Sequence, residues 1–315
     1  VPVLRSVTQD LLLKMAGDTR LRRAVETPSM SHEIVRRYVA GESVSSAMDV
    51  ASWLVARGRL VSLTHLASDP HDALAARDRR KRVRKVIRRL GDAGLTGQGR
   101  ADVSVRLSAL GGAMGPSGPA LALEHMRSLA EAAAAAQVSL TLEAERDVPV
   151  ETTIAAVHQL REDFPDTGIS LQACLLRTEQ DCRDLVGTGA RVRLTKGAAA
   201  PDPAVYAGRH DVDLAYVRCL RTLLAGPDPV AVATHDERLL EIAQTLARRN
   251  GRDSSNLEYQ LRYGVHPEMQ AVLCDRGDRL RVYVPFGEEW YPYILRRVAD
   301  SPSEMIALAR ASTSR

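Results

Sequence analysis

Short apolar runs alternate with longer helical stretches eight times between residues 59 and 300, and few folds accept that rhythm. Runs of strand character lie at 60–63, 103–107, 139–143, 170–175, 191–195, 230–233, 257–260 and 280–284. Helical spacing fills the segments between them, among others at 120–136, 152–163, 214–225, 237–249 and 268–275. This repetition predicts an α/β fold, a (β/α)8 barrel of the TIM type, and a barrel of roughly 250 residues fits the length available. A doubly wound open sheet is the alternative. It is disfavoured because no G-x-G-x-x-G follows the first strand, while the glycines of LGGAMGPSG at 110–118 follow the second and read as a loop. Residues 1–58 have helical spacing interrupted at Pro28 and Gly41, and are expected to form an N-terminal helical layer. The barrel is then expected to occupy 59–315.

Composition narrows the function classes. No apolar run is long enough to cross a bilayer, and the first residues lack the charged-then-apolar layout of a secretory signal, so a cytoplasmic protein is expected. The four cysteines form no C-x-x-C pair, which agrees with a reducing compartment and speaks against zinc. A net charge of +4 is too small to imply nucleic acid. One segment, RDRRKRVRKVIRR at 77–89, carries nine basic residues. Val83, Val86, Ile87 and Leu90 recur there at helical spacing, so the run reads as an amphipathic helix with a solvated basic face. The alternative use of such a face is peripheral contact with anionic lipid at the inner membrane.

In a barrel of this kind the chemistry belongs to the C-terminal ends of the strands. In chain order those ends read Thr64 and His65, Arg106 and Ser108, Glu143 and Glu145, and Gln172. Arg193 with Lys196, Thr234 with His235, Glu258 with Gln260, and Tyr283 follow. This polar ring contains acids and bases but no cysteine nucleophile. It also lacks two-histidine-plus-acid spacing, so no metal is expected. No G-x-S-x-G turn points to a serine hydrolase. His235 has a structural reading beside the functional one. Lys196, in RLTKGA, fits either a Schiff-base former of the aldolase kind or a cation that neutralises a cofactor phosphate, and both readings stay open.

The segment RVYVPFGEEWYPYILRRV at 281–298 reads as a strand closed by Pro285, a turn at Gly287 and a helix that starts with Trp290. Glu288 and Glu289 fall where a helix N-terminus favours negative charge. Trp290, Tyr293 and Arg297 share one helix face, and Arg296 follows Tyr293 by one turn. Two adjacent arginines beside a tyrosine can grip a carboxylate with forked hydrogen bonds.

Eight motifs in order and spacing carry a family resemblance. They are VRLSAL at 105–110, LEAE at 142–145, LQACLLRT at 171–178, VRLTKGA at 192–198, ATHD at 233–236, EYQLRYG at 258–264, RVYVPFG at 281–287 and WYPYILRR at 290–297. Together they resemble the proline dehydrogenase family over about residues 60–300, most closely its single-function actinobacterial type. The resemblance implies non-covalent FAD at the strand C-termini and removal of two electrons from L-proline to give the cyclic imine. Electrons would then leave the flavin for a quinone, oxygen or another acceptor. It further implies Arg193 near the flavin N5, Gln172 at the pyrimidine edge, and Lys196 with Gly197 and Ala198 under the flavin or its ribityl chain. Thr234 and His235 would serve the adenosine side and Glu258 the ribityl or ribose hydroxyls. Arg296 and Arg297 would pair with the substrate carboxylate, with Tyr283 and Tyr293 walling the ring.

Departures from the family pattern gather in the substrate pocket, where Arg106, Glu143 and Arg262 are expected. The family usually has Lys at Arg106, Asp at Glu143, an aromatic at Ala199 and a leucine at Arg262. Its D-x-L-G-E after the first strand reads Thr64-His65-Leu66-Ala67-Ser68 here. A roomier, more positive pocket suits either proline or a larger or more acidic amine. That alternative extends to an N–N bond in specialised biosynthesis.

Overall fold

The computed structural model describes residues 37–145, 147–197 and 202–300, the last five by backbone alone. Eight strands, β1 (Leu60–His65), β2 (Ala101–Arg106), β3 (Ser139–Glu143), β4 (Thr167–Gln172), β5 (Val192–Thr195), β6 (Val230–Ala233), β7 (Leu257–Arg262) and β8 (Leu280–Phe286), close into a barrel in sequence order. Every pair is parallel, including β1 with β8, so the fold is the (β/α)8 barrel that the alternation predicts. The helices between strands are α2 (Ala73–Asp92), α3 (Gly118–Ala136), α4 (Val150–Arg161), α5 (Thr178–Leu185), α6 (Arg209–Ala225), α7 (Glu237–Arg249) and α8 (Pro267–Asp275). Helix α1 (Val44–Val55) precedes the barrel and α9 (Trp290–Asp300) follows β8.

Strand alternation divides the sheet into two chemically opposite surfaces. The outward residues are apolar: Leu140 and Leu142, Ile169 and Leu171, Val192 and Leu194, Val230 and Val232 all belong to the core shared with the helices. Burying each such side chain stabilises the fold by about 1.5–3 kcal/mol. The inward residues are largely polar, among them Ser62, Asp102, Ser104, Arg193, Glu258, Gln260 and Arg281. A barrel interior is ordinarily filled by branched apolar side chains. Here hydrogen-bonded charges fill it, so the axis itself is a polar column.

The strand limits depart from expectation by two residues or more at β1, β2, β4, β7 and β8. β4 begins at Thr167 and ends at Gln172, three residues earlier than predicted at each end. Gly168 pairs with Thr141 in the ladder, where a Cβ would meet the Arg191 carbonyl oxygen at 2.8 Å. The apolar ACLL run lies past the strand end, with only Leu175 in an isolated bridge to Val205. β7 continues to Arg262, two residues past the predicted end. β8 runs through Pro285 to Phe286. Beyond Tyr283 the strand pairs only with β1, which leaves the proline nitrogen without a ladder position to fill.

Of the expected 1–58 helical layer, residues 1–36 lie outside the described part. Helix α1 turns Ala47, Met48, Ala51 and Leu54 into the core under β1 and β8. In α2, Val83, Val86, Ile87 and Leu90 are buried while Lys81, Lys85, Arg88 and Arg89 are exposed, as the amphipathic reading predicts. No helix among the described residues is long and apolar enough to cross a membrane.

Candidate active site

Arg193 occupies the middle of the axis and is 3% exposed. Its Nη2 donates to Ser104 Oγ at 2.6 Å and to Glu143 Oε1 at 2.8 Å, and its Nη1 donates to Gln260 Oε1 at 3.5 Å. Tyr283 donates its phenol to the same Glu143 oxygen at 3.0 Å, and the Arg193 guanidinium lies 5.3 Å from the Tyr283 ring centroid. Five strands therefore meet in one cluster. Burial, and after it the Glu143 charge, push the Tyr283 phenol up, so it stays protonated as a donor. Tyr293, on α9, packs against the cluster of Tyr38, Val265 and Trp290. Arg193 Nε is buried and finds no acceptor among the described residues.

A second group sits at the C-terminal ends of β4 to β6. Gln172 donates through Nε2 to the Ala144 carbonyl at 2.9 Å, and Cys174 Sγ lies 3.8 Å from its Oε1. Gly197 has φ +68°, and a Cβ there would stand 2.3 Å from Cys174 Sγ, so the loop after β5 folds onto the loop after β4 only with glycine. Lys196 pairs with Asp213 and, at 3.5 Å, with Asp236. Thr234 Oγ1 accepts from the Asp236 backbone N–H at 3.1 Å. His235 Nε2 accepts from the Arg262 backbone N–H at 2.9 Å, which ties the end of β6 to the end of β7.

Arg106 and Arg262 stand at the mouth. Arg106 ends β2 and reaches Asp69 at 3.0 Å and Glu145 at 3.4 Å. Glu145 is also held by the Ser108 N–H at 2.7 Å and hydroxyl at 2.6 Å. Arg262 ends β7 on the same strand face as Glu258 and Gln260 and is in register with Tyr283.

Glu258 does not stand where its place in the sequence suggests. The predicted end of its strand put it at the mouth, but it is the second residue of β7 and lies at the opposite, N-terminal end of the axis. Its carboxylate is gripped by Arg281 through Nε and Nη2, both at 2.8 Å, and has no share in the mouth. Ala198 lies outside the described residues, as do the side chains of Arg296 and Arg297, whose backbone belongs to α9. Ser104, Asp69 and Asp213 were not anticipated. Ser104 was visible as a polar position alternating with Val103 and Val105 in β2, whereas no local pattern marks the other two. Among the described residues no cluster of three or more His, Cys, Asp or Glu has the arrangement to hold a metal ion.

A family model described as proline dehydrogenase matches residues 47–304. The chain belongs to the proline dehydrogenase family. "Proline dehydrogenase 2" of Bacillus subtilis is 28% identical over 310 residues, 98% of this chain and all of that one. "Proline dehydrogenase" of Deinococcus radiodurans is 29% identical over 272 residues, 85% of this chain and 86% of that one. Among solved structures, proline utilization A of Bdellovibrio bacteriovorus inactivated by N-propargylglycine superposes with a TM-score of 0.78 at 21% identity, over 85% of this chain. This chain spans about a third of that one, and the match shows the shared barrel.

Proposed function

We propose that this member of the proline dehydrogenase family is an FAD-dependent dehydrogenase that oxidises the C–N bond of L-proline or a proline-like amino acid to the imine. The observation that carries the reading is the buried Arg193–Glu143–Tyr283 cluster on the axis of a barrel whose family acts on that bond. The residues present suit the cofactor. Arg193 keeps a buried Nε with no acceptor among the described residues, and the amide of Gln172 and the ammonium of Lys196 stand at the C-terminal ends of β4 and β5. Arg193, Gln172, Lys196, Gly197 and Thr234 would hold it, with His235 at the adjoining strand end. Bound FAD supplies the two-electron acceptor for a hydride from carbon.

The chain's own residues bind and orient. Glu143 and Ser104 fix the guanidinium of Arg193, so its positive charge is in place before reaction and needs no reorganisation. Tyr283, held protonated against Glu143, and Tyr293 on α9 would wall the space that takes the substrate ring. Arg296 and Arg297 on α9 are the proposed clasp for the substrate carboxylate, which would set the reacting carbon in one orientation. Lys196 is engaged by two carboxylates that would have to release it before its nitrogen could attack a carbonyl. That arrangement favours the cofactor role over the aldolase role.

A second reading keeps the flavin chemistry but changes the substrate to a larger or more acidic amine, or to an N–N bond. The placement of Arg262 at the mouth, in register with Tyr283, favours it. Purification tests the primary reading. The protein is expected to carry about one FAD per chain, released on denaturation, and to turn over L-proline with an artificial electron acceptor. A colourless protein that cannot be reconstituted with FAD would refute it.

A further inference from the structure

At the end of the barrel away from the proposed flavin mouth lies a cavity of about 180 Å³. Its wall includes Arg191, Arg279, Arg281, Glu258, Ser139 and Asp166, all at or near the N-terminal ends of strands. A water molecule takes about 30 Å³ of liquid, so the space exceeds what one or two bridging waters need. The charges around it do not balance. Three guanidinium groups, Arg191, Arg279 and Arg281, face two buried carboxylates, Asp102 and Glu258. Asp166 stands exposed at the rim, where solvent weakens its contribution.

The three arginines are not equally satisfied. Arg281 spends its donors on Glu258 and on the carbonyls of Val61 and Gly99. Arg191 uses Nη2 on Asp102 at 2.7 Å, but its Nη1 is 3.9 Å from the nearest Glu258 oxygen. Arg279 uses Nη2 on the Gln98 carbonyl at 2.9 Å and Nη1 on the Ser254 carbonyl at 3.5 Å, and its Nε is 3.7 Å from Glu258. Arg191 Nη1 and Arg279 Nε have no hydrogen-bond acceptor among the described residues. Buried donors without acceptors are costly, and a surplus positive charge around a cavity of mixed polar and apolar lining favours an anion.

We infer that this cavity is a second ligand site, for a small oxyanion, a carboxylate or a phosphate, held between Arg191 and Arg279. Occupancy would tie the starts of β3, β5 and β8 together and stabilise the folded barrel by mass action. The holoenzyme is titrated calorimetrically with inorganic phosphate and, separately, with acetate. Thermal unfolding is followed in the same solutions against equal ionic strength of a non-binding salt. The expected result is saturable one-to-one binding of at least one anion, with a midpoint about 2–3 °C higher at ten times its dissociation constant. Arg279→Gln should weaken that binding at least tenfold without changing turnover of the amine substrate, and Arg279→Lys should weaken it less. Phosphate alone binding would assign the site to a tetrahedral anion, and acetate alone to a carboxylate. Absence of saturable binding by either anion, or binding that Arg279→Gln leaves intact, would overturn the inference.

Discussion

Arg193 and Tyr283 end on the same oxygen of Glu143, at 2.8 and 3.0 Å, although the three residues come from strands on different sides of the barrel. One carboxylate thus sets both the cation and the phenol of the proposed site. Its geometry is fixed before any substrate arrives.

Replacing that carboxylate is the first test. Glu143→Gln keeps the shape but removes the charge that holds Arg193, and turnover is expected to fall about 10–100-fold. Steady-state kinetics on variant protein with normal flavin content would check it. Unchanged turnover would mean that the cluster is structural.

Gly197→Ala tests the loop after β5. The new Cβ would meet Cys174 Sγ at 2.3 Å in a backbone conformation that alanine adopts at a cost of about 1–3 kcal/mol. The expected outcome is reduced flavin retention after gel filtration, together with a lower unfolding midpoint.

Acid should weaken the barrel from its N-terminal end. Burial raises the Glu258 carboxyl, but Arg281 and then Arg191 more than reverse this and hold it at about 2. Asp102 is likewise held at about 2, with burial opposed chiefly by Arg191 and Arg281. Both folded values lie below the unfolded ones, so the stability they contribute is present above about pH 4 and is lost as pH falls through the folded values. Urea unfolding between about pH 5 and pH 2 should show a steep decline. Glu258→Ala should cost about 3–5 kcal/mol at pH 7 and flatten that decline, because it leaves Arg281 buried without its partner.

Arg262→Leu tests the pocket. Removing a guanidinium from the mouth should shift the ratio of kcat/KM for L-proline over that for an amino dicarboxylic substrate by about tenfold in favour of proline. An unchanged ratio would remove Arg262 from the specificity account.

The eight-fold alternation was legible because each outward strand face is apolar and short, and each helix carries its own stripe. Depth along the axis was not. Glu258, Gln260 and Arg262 share one face of β7, and reading its end two residues early moved Glu258 from the bottom of the barrel to the mouth without changing its side. Depth depends on how neighbouring strands are staggered, which no single segment encodes. The partners of Lys196 and Arg106 were hidden for a related reason. Asp213 lies on a helix 17 residues further along, and Asp69 on a loop 37 residues before, where neither local spacing nor charge pattern announces the contact.

The proposed function requires a flavin at the barrel mouth that an amino acid reduces. Mixing the oxidised protein with L-proline, and separately with an amino dicarboxylic acid, in a single anaerobic turnover reads this directly. The expected result is loss of the oxidised flavin absorbance with at least one of them, slowed about 10–100-fold in Glu143→Gln. Protein replete with FAD whose spectrum neither amino acid changes would contradict it.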